Sequence, residues 1–358
     1  MNIESLARPE IVAMKPYSSA RKEAPGTGIL LNANESPRPL LDPSDSLNRY
    51  PDPQPAELVT RLAALYAVPE NYVLLTRGSD EGIDLLVRVF CRAGQDAILH
   101  CPPTFGMYRI AAQTQGADIV SVNRQADEGF KLLEQDVLNA LRSDARIKLV
   151  FLTSPNNPTG DIVSRPFLNQ LLEAACDRAI IVLDEAYAEF CSQPSAAAMI
   201  AENENLVVLR TMSKAWASAG LRCGSVLAQE SVISLLRRVI APYPVPSPVM
   251  KLAMRMLGDD MMDRQRDLMR EIGDNKRFLL QTLENRDFIR EVIPGDANFV
   301  LIRVDHAREL LSFAASRNVI IRGFPADPLL QDCLRISVGA KNELASFAAV
   351  LDEWEDKR

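Results

Sequence analysis

Histidine is nearly missing from this chain. His100 and His306 are the only two among 358 residues, so no metal centre or hydrolytic site that needs several imidazoles can be built. His306 sits in the charged stretch Asp305-His306-Ala307-Arg308 and reads as a surface or capping residue, while His100 ends the apolar run Ala97-Ile98-Leu99 and reads as a strand end. Acid–base and nucleophilic work must therefore fall to lysine, carboxylates, tyrosine or a cofactor. The six cysteines (Cys91, Cys101, Cys176, Cys191, Cys223, Cys333) form no CxxC pair or ligand-like spacing, so reduced thiols and no metal are expected. Basic charge is not in excess, with 40 Lys+Arg against 47 Asp+Glu and a net charge of −7, which argues against a nucleic-acid partner. No apolar run approaches the roughly 18 residues of a membrane span. The first 25 residues, with Glu4, Arg8, Glu10 and Lys15 among them, lack the apolar core of a signal peptide. A cytoplasmic chain with no membrane partner is the expectation.

What is present is a globular composition, 47% apolar and 24% charged, long enough for two domains at about 150 residues each. Strand-length apolar runs at 72–76, 96–101, 119–122, 148–153, 179–184 and 206–210 alternate with amphipathic stretches at 81–91, 105–115, 133–141 and 165–176. This pattern predicts an α/β fold with a doubly wound, mainly parallel sheet whose ligands sit beyond the carboxyl ends of the strands. Prolines 242, 244, 246 and 248 forbid regular helix and read as an interdomain connector. After them come a Met-rich helical pattern from about 249 to 283, strands near 299–304 and 333–338, and a closing helix at 342–354, which together suggest a smaller α+β domain. The Met cluster reads as core packing. The expected division is an N-terminal arm at 1–45 packing on the small domain or a dimer partner, a large domain at 46–245, and a small C-terminal domain at 246–358.

Five segments follow predicted strands or sit within one. Arg77-Gly-Ser-Asp80 opens a helix whose free N–H groups and positive dipole end suit a phosphate, although taken alone Ser79 or Asp80 reads more simply as an N-cap. Ser154-Pro-Asn-Asn-Pro-Thr-Gly160 is a loop more constrained than a simple turn requires. Asp184, in Leu183-Asp-Glu-Ala-Tyr187, ends an apolar strand and either caps the next element or meets a cationic ligand. Lys214 stands among small residues in Thr211-Met-Ser-Lys-Ala-Trp-Ala-Ser-Ala-Gly-Leu-Arg222, where desolvation lowers a lysine pKa and makes the amine nucleophilic toward a carbonyl. Arg335, in Cys333-Leu-Arg-Ile-Ser-Val-Gly339, is costly in an apolar strand unless it meets an anion. Together they supply a carbonyl-reactive lysine, a carboxylate for a pyridinium, donors for a phenolic oxygen and a phosphate cup, which are the requirements of pyridoxal 5′-phosphate.

Through SPNNPTG, DEAY and SKAWASAGLRCG the chain resembles the aspartate-aminotransferase-like, fold-type I pyridoxal-phosphate enzymes over nearly its whole length. Within them it is most similar to the histidinol-phosphate aminotransferase branch, through Lys15-Pro-Tyr17, Leu31-Asn-Ala-Asn-Glu35, Asn48-Arg-Tyr-Pro51, Arg77-Gly-Ser-Asp-Glu-Gly82, Cys101-Pro-Pro-Thr-Phe-Gly-Met-Tyr108 and the Arg335 strand. The resemblance implies that Lys214 carries the cofactor and then moves the substrate proton, that Asp184 holds the ring nitrogen protonated, and that Asn157 and Tyr187 donate to the ring oxygen. It places Phe105 and Ala186 on the two ring faces. The phosphate would lie among Ser79, Asp80, Thr211, Ser213 and Arg222, with Tyr50 arriving from the partner of a homodimer. Arg335, assisted by Arg322 and Tyr17, would bind the substrate anion, an Arg fork matching carboxylate and phosphate alike, and Asn34 would approach the substrate. The implied reaction is transamination between L-histidinol phosphate and 2-oxoglutarate, giving imidazole-acetol phosphate and glutamate, in histidine biosynthesis. One departure is visible: the branch usually has Phe or Tyr where Trp216 stands and a large apolar residue where Ser218 stands, which reads as volume-conserving repacking. The alternatives are a threonine-phosphate decarboxylase, an aromatic-amino-acid aminotransferase, or a ligand-sensing module of a transcription regulator.

Overall fold

The computed structural model describes residues 2–17, 28–42 and 47–357. Seven strands form the larger sheet: β1 (Val73–Thr76), β2 (Ala97–His100), β3 (Asp118–Ser121), β4 (Ile147–Thr153), β5 (Ile180–Asp184), β6 (Leu206–Thr211) and β7 (Gly224–Leu227). Their order is β1-β7-β6-β5-β4-β2-β3, with β7 antiparallel to both its neighbours and the other pairings parallel. The period-2 alternation of strand side chains explains why the central strands are apolar throughout. Val150, Leu152, Ile181, Leu183 and Val208 enter one core layer, with Leu62, Leu141, Phe167 and Leu171 of the covering helices. Leu149, Phe151, Ile180, Val182, Val207 and Leu209 enter the other, with Ile83, Leu86, Tyr108 and Leu236.

The smaller sheet is antiparallel throughout: β8 (Ile289–Ile293), β9 (Phe299–Val304), β10 (Arg322–Gly323) and β11 (Cys333–Ser337), in the order β10-β11-β9-β8. Helices Asp259–Leu283, Ala307–Ser316 and Lys341–Asp356 cover it through Leu279, Leu283, Leu310, Phe347 and Leu351. The single helical pattern expected from 249 to 283 is two helices, Ser247–Met256 and Asp259–Leu283. Gly258 adopts an extended conformation between them, and Asp259 and Asp260 start the second helix at its positive dipole end. Met250, Met254 and Met256 pack against the larger sheet's core.

The start of the arm departs from expectation. Ile3, Leu6, Ala7 and Ile11 pack into the larger sheet's second core layer, not onto the smaller domain. Arg8 N–H donates to Val89 O at 2.9 Å, and Arg238 donates to Ile11 O at 3.2 Å, so four apolar residues and paired backbone groups hold the segment there. Further along, Ile29, Leu31, Leu40 and Leu41 are exposed.

One buried ion pair ties the strand ends together behind the cleft. Arg210 at the end of β6 donates to Glu185 at 2.8 Å and to Glu189 at 2.7 Å, and Glu185 also accepts from the Ala196 amide at 2.6 Å. Both Arg210 and Glu185 are buried, and the guanidinium lies 4.9 Å from the Tyr66 ring centroid. Removing one partner strands the other charge, so Arg210→Met is expected to cost about 3–5 kcal/mol. Adding Glu185→Gln to Arg210→Met should recover most of it. Urea unfolding midpoints of the two variants check this, and a single variant as stable as wild type would remove the ion pair from the account.

Candidate active site

A cavity of about 160 Å³ opens where β4, β5 and β6 end. Its lining holds Ser79, Asp80, Phe105, Asn157, Asp184, Ala186, Tyr187, Thr211, Ser213, Lys214 and Arg222, which are the cofactor residues expected from one chain. Thr153 and Ala219 also line it. Thr153 was missed by sequence reasoning, though its place was legible: it ends β4 and pairs in register with Asp184.

At one end of the cavity lies a cup for an anion. Helix Ser79–Phe90 starts there with Gly78 as its N-cap, and no side chain satisfies its first amides, so the capping role considered for Ser79 or Asp80 does not apply. Thr211 donates to Ser213 Oγ at 2.9 Å, and Arg222 reaches Ser213 Oγ at 3.3 Å and Asp80 at 3.0 Å. Two glycines let the segments meet. Gly78 has φ +80° and lies so close to Arg222 that a Cβ would stand 2.7 Å from a guanidinium nitrogen; a Cβ on Gly224 would stand 2.6 Å from the Gly78 carbonyl carbon.

At the other end is Asp184, fully buried, with Tyr108 Oη donating at 2.8 Å and the Ala186 amide at 3.1 Å. No described cation pairs with it, and burial pushes its carboxyl up to about 6. A buried carboxylate of this kind fits a ligand that brings its own positive charge. Lys214 Nζ lies 5.5 Å from the Tyr187 ring centroid. Its pKa is lowered by burial, with Arg335 and Arg222 adding repulsion that Asp80 and Asp184 partly offset. Burial holds the Tyr187 hydroxyl up at about 12, which keeps it a donor.

Arg335 approaches from the smaller sheet. It donates to Asn157 Oδ1 at 2.5 Å, and its guanidinium lies 5.3 Å from the Phe299 ring centroid. Because Oδ1 faces the guanidinium, Nδ2 is the end of Asn157 left to donate elsewhere. No described carboxylate pairs with Arg335, its Nε is buried without a partner, and Arg322 stands directly opposite it on β10. Burial and the Arg322 charge both lower its pKa. A structural ion pair for Arg335 is therefore absent among the described residues.

Three expected contacts are not made within one chain. Tyr17 is exposed and lines a separate groove with Lys15, Gln54 and Arg238, because the arm leads across the larger sheet's helices instead of over the cleft. Tyr50 stacks on Tyr243 at 4.5 Å, and Asn34 shares a surface groove with it, both outside the cavity. Beside the lysine, buried Trp216 packs with the larger core, and Ser218 Oγ turns back to donate to Trp216 O at 2.7 Å. The shorter side chain is thus accommodated by a local turn bond.

Residues 27–351 match the model for the family described as Aminotransferase class I and II. The chain is 42% identical over 353 residues to a histidinol-phosphate aminotransferase of Aeromonas salmonicida (strain A449), covering 98% of each chain. It is 41% identical to one of Cronobacter sakazakii (strain ATCC BAA-894), covering 96% of this chain and 94% of that one. Its fold is also that of the Sinorhizobium meliloti histidinol-phosphate aminotransferase solved in complex with pyridoxal 5′-phosphate, with a TM-score of 0.79 and 21% identity over 87% of this chain and 84% of that one. The anion cup, the unpaired buried Asp184 and the perturbed Lys214 fit that cofactor, and the chain belongs to the class I and II aminotransferase family.

Proposed function

We propose that this chain catalyses transamination between L-histidinol phosphate and 2-oxoglutarate, yielding imidazole-acetol phosphate and glutamate. The observation that carries the substrate reading is the pair Arg335 and Arg322, opposite each other in register on the smaller sheet, with Arg335 reaching Asn157 of the cavity lining, Arg322 exposed, and no described carboxylate paired to either. Two guanidiniums without a counter-ion fit a substrate that brings a phosphate or a second carboxylate, as histidinol phosphate and glutamate do. Pyridoxal 5′-phosphate, when bound, supplies the electron sink that no side chain offers.

The chain's own groups supply the rest. Ser79, Asp80, Thr211, Ser213 and Arg222 would hold the phosphate, the helix N-terminus adding its dipole. Asp184 would hold the protonated ring nitrogen, while Asn157 Nδ2 and Tyr187 Oη would donate to the ring oxygen, with Phe105 and Ala186 confining the ring. Lys214 Nζ, less basic than an ordinary lysine, would move the proton from the substrate's Cα to the cofactor's C4′, and in the reverse direction in the second half-reaction.

We infer a homodimer as well. Tyr50 and Tyr17 lie outside their own chain's cleft, and the arm exposes Ile29, Leu31, Leu40 and Leu41, which a second copy would cover while lending Tyr50 to the phosphate cup. The three-part division at about 45 and 245 and a cytoplasmic location belong to the same reading. Sedimentation of the purified protein should show a dimer, and Leu31→Asp with Leu40→Asp should shift it toward monomer with loss of activity; a wild-type monomer of full activity would end the shared-site inference.

Substrate identity is open to single-turnover spectroscopy. Histidinol phosphate should convert the bound cofactor to its amine form, whereas phenylalanine and threonine phosphate should not. Conversion by phenylalanine alone would refute the substrate assignment. Lys214→Ala should retain cofactor non-covalently and lose about 10²–10⁴-fold or more in turnover.

Asp184 also has a predictable cost. Its carboxyl rises from 3.8 to about 6 on folding, so the cofactor-free fold binds more protons than the unfolded chain between those pH values. Stability then falls as pH rises through that window, by roughly 3 kcal/mol in full above it. Asp184→Asn should therefore raise the thermal midpoint of the cofactor-free protein at pH 8 while weakening cofactor retention. A lowered midpoint at pH 8 would contradict this sign.

A further inference from the structure

Asp184 is reached from beneath by a hydroxyl that the scheme above does not use. Tyr108, fully buried in helix Met107–Gln115, places Oη 2.8 Å from Asp184 Oδ2 and 2.7 Å from Thr153 Oγ1. Thr153 Oγ1 lies 3.2 Å from Thr104 Oγ1, and Thr104 donates to Asn156 Oδ1 at 2.7 Å. The Tyr108 ring is clamped by a parallel stack on Phe151, 4.8 Å between centroids, and an edge contact with Phe105 at 5.7 Å. Its hydroxyl cannot swing elsewhere.

Each hydroxyl carries one proton, so counting protons gives the chain a direction. With Asp184 ionised, Tyr108 donates to Asp184, Thr153 donates to Tyr108, and the longer Thr104–Thr153 contact has no proton between its oxygens. With Asp184 protonated, the order reverses: Asp184 donates to Tyr108, Tyr108 to Thr153, and Thr153 to Thr104. Tyr108 is the member whose proton changes target with the charge on Asp184. It is absent from the lining of the cleft, so whatever it does there passes through the lining residues it touches, Asp184 and Thr153 by its hydroxyl and Phe105 by its ring, and only the hydroxyl contacts are lost in a Phe substitution. The Tyr108 bond also opposes the burial that raises the Asp184 carboxyl, and burial in turn keeps the Tyr108 hydroxyl from ionising.

We propose that Tyr108 is a positioning residue that holds Asp184 ionised and aimed at the ring nitrogen of the cofactor, acting through Asp184 and touching neither cofactor nor substrate. The assignment rests on the pyridoxal-phosphate reading of the cleft. Tyr108→Phe keeps the ring and its stacking while removing the hydroxyl, and the test loads it with ring-¹⁵N-labelled pyridoxal phosphate.

The cofactor's dissociation constant should rise about tenfold or more, the effect of removing a hydrogen bond to a charged group. The bound ring-nitrogen resonance should move from the protonated position of wild type toward that of unprotonated pyridine. In an Asp184→Asn background the same change should add little, because residues acting through one group are not additive. An unmoved ¹⁵N resonance, or an affinity loss that persists in full beside Asp184→Asn, assigns Tyr108 to packing alone and overturns the proposal. A wild-type chain that takes up no pyridoxal phosphate defeats the cofactor reading itself, and that result is distinct from either.

Discussion

A carboxylate buried without a cation is the constraint around which this structure is arranged. Asp184 ends β5 at the centre of the sheet, where desolvation favours its neutral form, and hydrogen bonds from a phenol and one amide offset part of that pressure. Structural carboxylates elsewhere in the chain are treated differently. Glu185, the next residue, points away from the cleft and is matched by Arg210; Asp161 is matched by the buried Arg124 at 2.5 Å. Adjacent residues thus have opposite fates because strand alternation sends them to opposite sides, one into a completed ion pair and the other into a site awaiting charge. The unmatched member is the one that a positively charged ring would complete.

The parallel part of the sheet makes that arrangement economical in sequence. Parallel strands carry their carboxyl ends to one edge, so Thr153 of β4, Asp184 of β5 and Thr211 of β6 arrive together although 58 residues separate the first from the last by number (211 − 153). Each is followed by a segment rich in small or constrained residues, and those segments build the cleft. The antiparallel β7 closes the opposite requirement. It returns the chain after Lys214 so that Gly224 lies against Gly78, which brings Arg222 and the start of helix Ser79–Phe90 to the same anion cup. A side chain at either glycine would separate the two halves of that cup.

Much of this was legible in the residues. The runs at 148–153, 179–184 and 206–210, the loop at 154–160 and the lysine segment carry local signals that tertiary context does not override: apolar runs ending in a polar residue, then glycine, proline and small hydroxyls. β7 carried no such signal, being four residues long and headed by a glycine whose purpose is a contact 146 positions away (224 − 78). Tyr108 hid for another reason. Its ring reads as ordinary core at helical spacing, and only the fold reveals that its one polar atom meets Asp184. The break at Gly258 was masked because apolar and charged residues continue in helical rhythm on both sides. The arm's first residues read as irregular because the stretch 1–45 as a whole is rich in Pro, Asn and Ser, and the helical spacing of Ile3, Leu6, Ala7 and Ile11 is too short a run to stand out from it.

The relation between the two sheets decides how substrate recognition is coupled to the cofactor site. Three contacts join them at one place. Arg335 donates to Asn157, the Asp296 amide donates to Gly160 O at 2.6 Å, and Gly160 and Gly295 cross so closely that a Cβ on Gly295 would overlap the Gly160 backbone. Lys276 fixes the smaller-sheet side of this crossing by donating to Gly295 O and Ala297 O, each at 2.7 Å. Asn156, the residue before Asn157, is held on the other side by Thr104, Thr159 and the Pro103 carbonyl. Asn157 thus stands between Arg335, proposed to meet the substrate anion, and the ring oxygen that it would hold. An anion bound by Arg335 would have the partnerless Nε to use besides Nη1, the nitrogen that donates to Asn157 Oδ1. On the proposed roles, substrate binding and the donor presented to the cofactor would be linked through this amide, three residues before the glycine crossing.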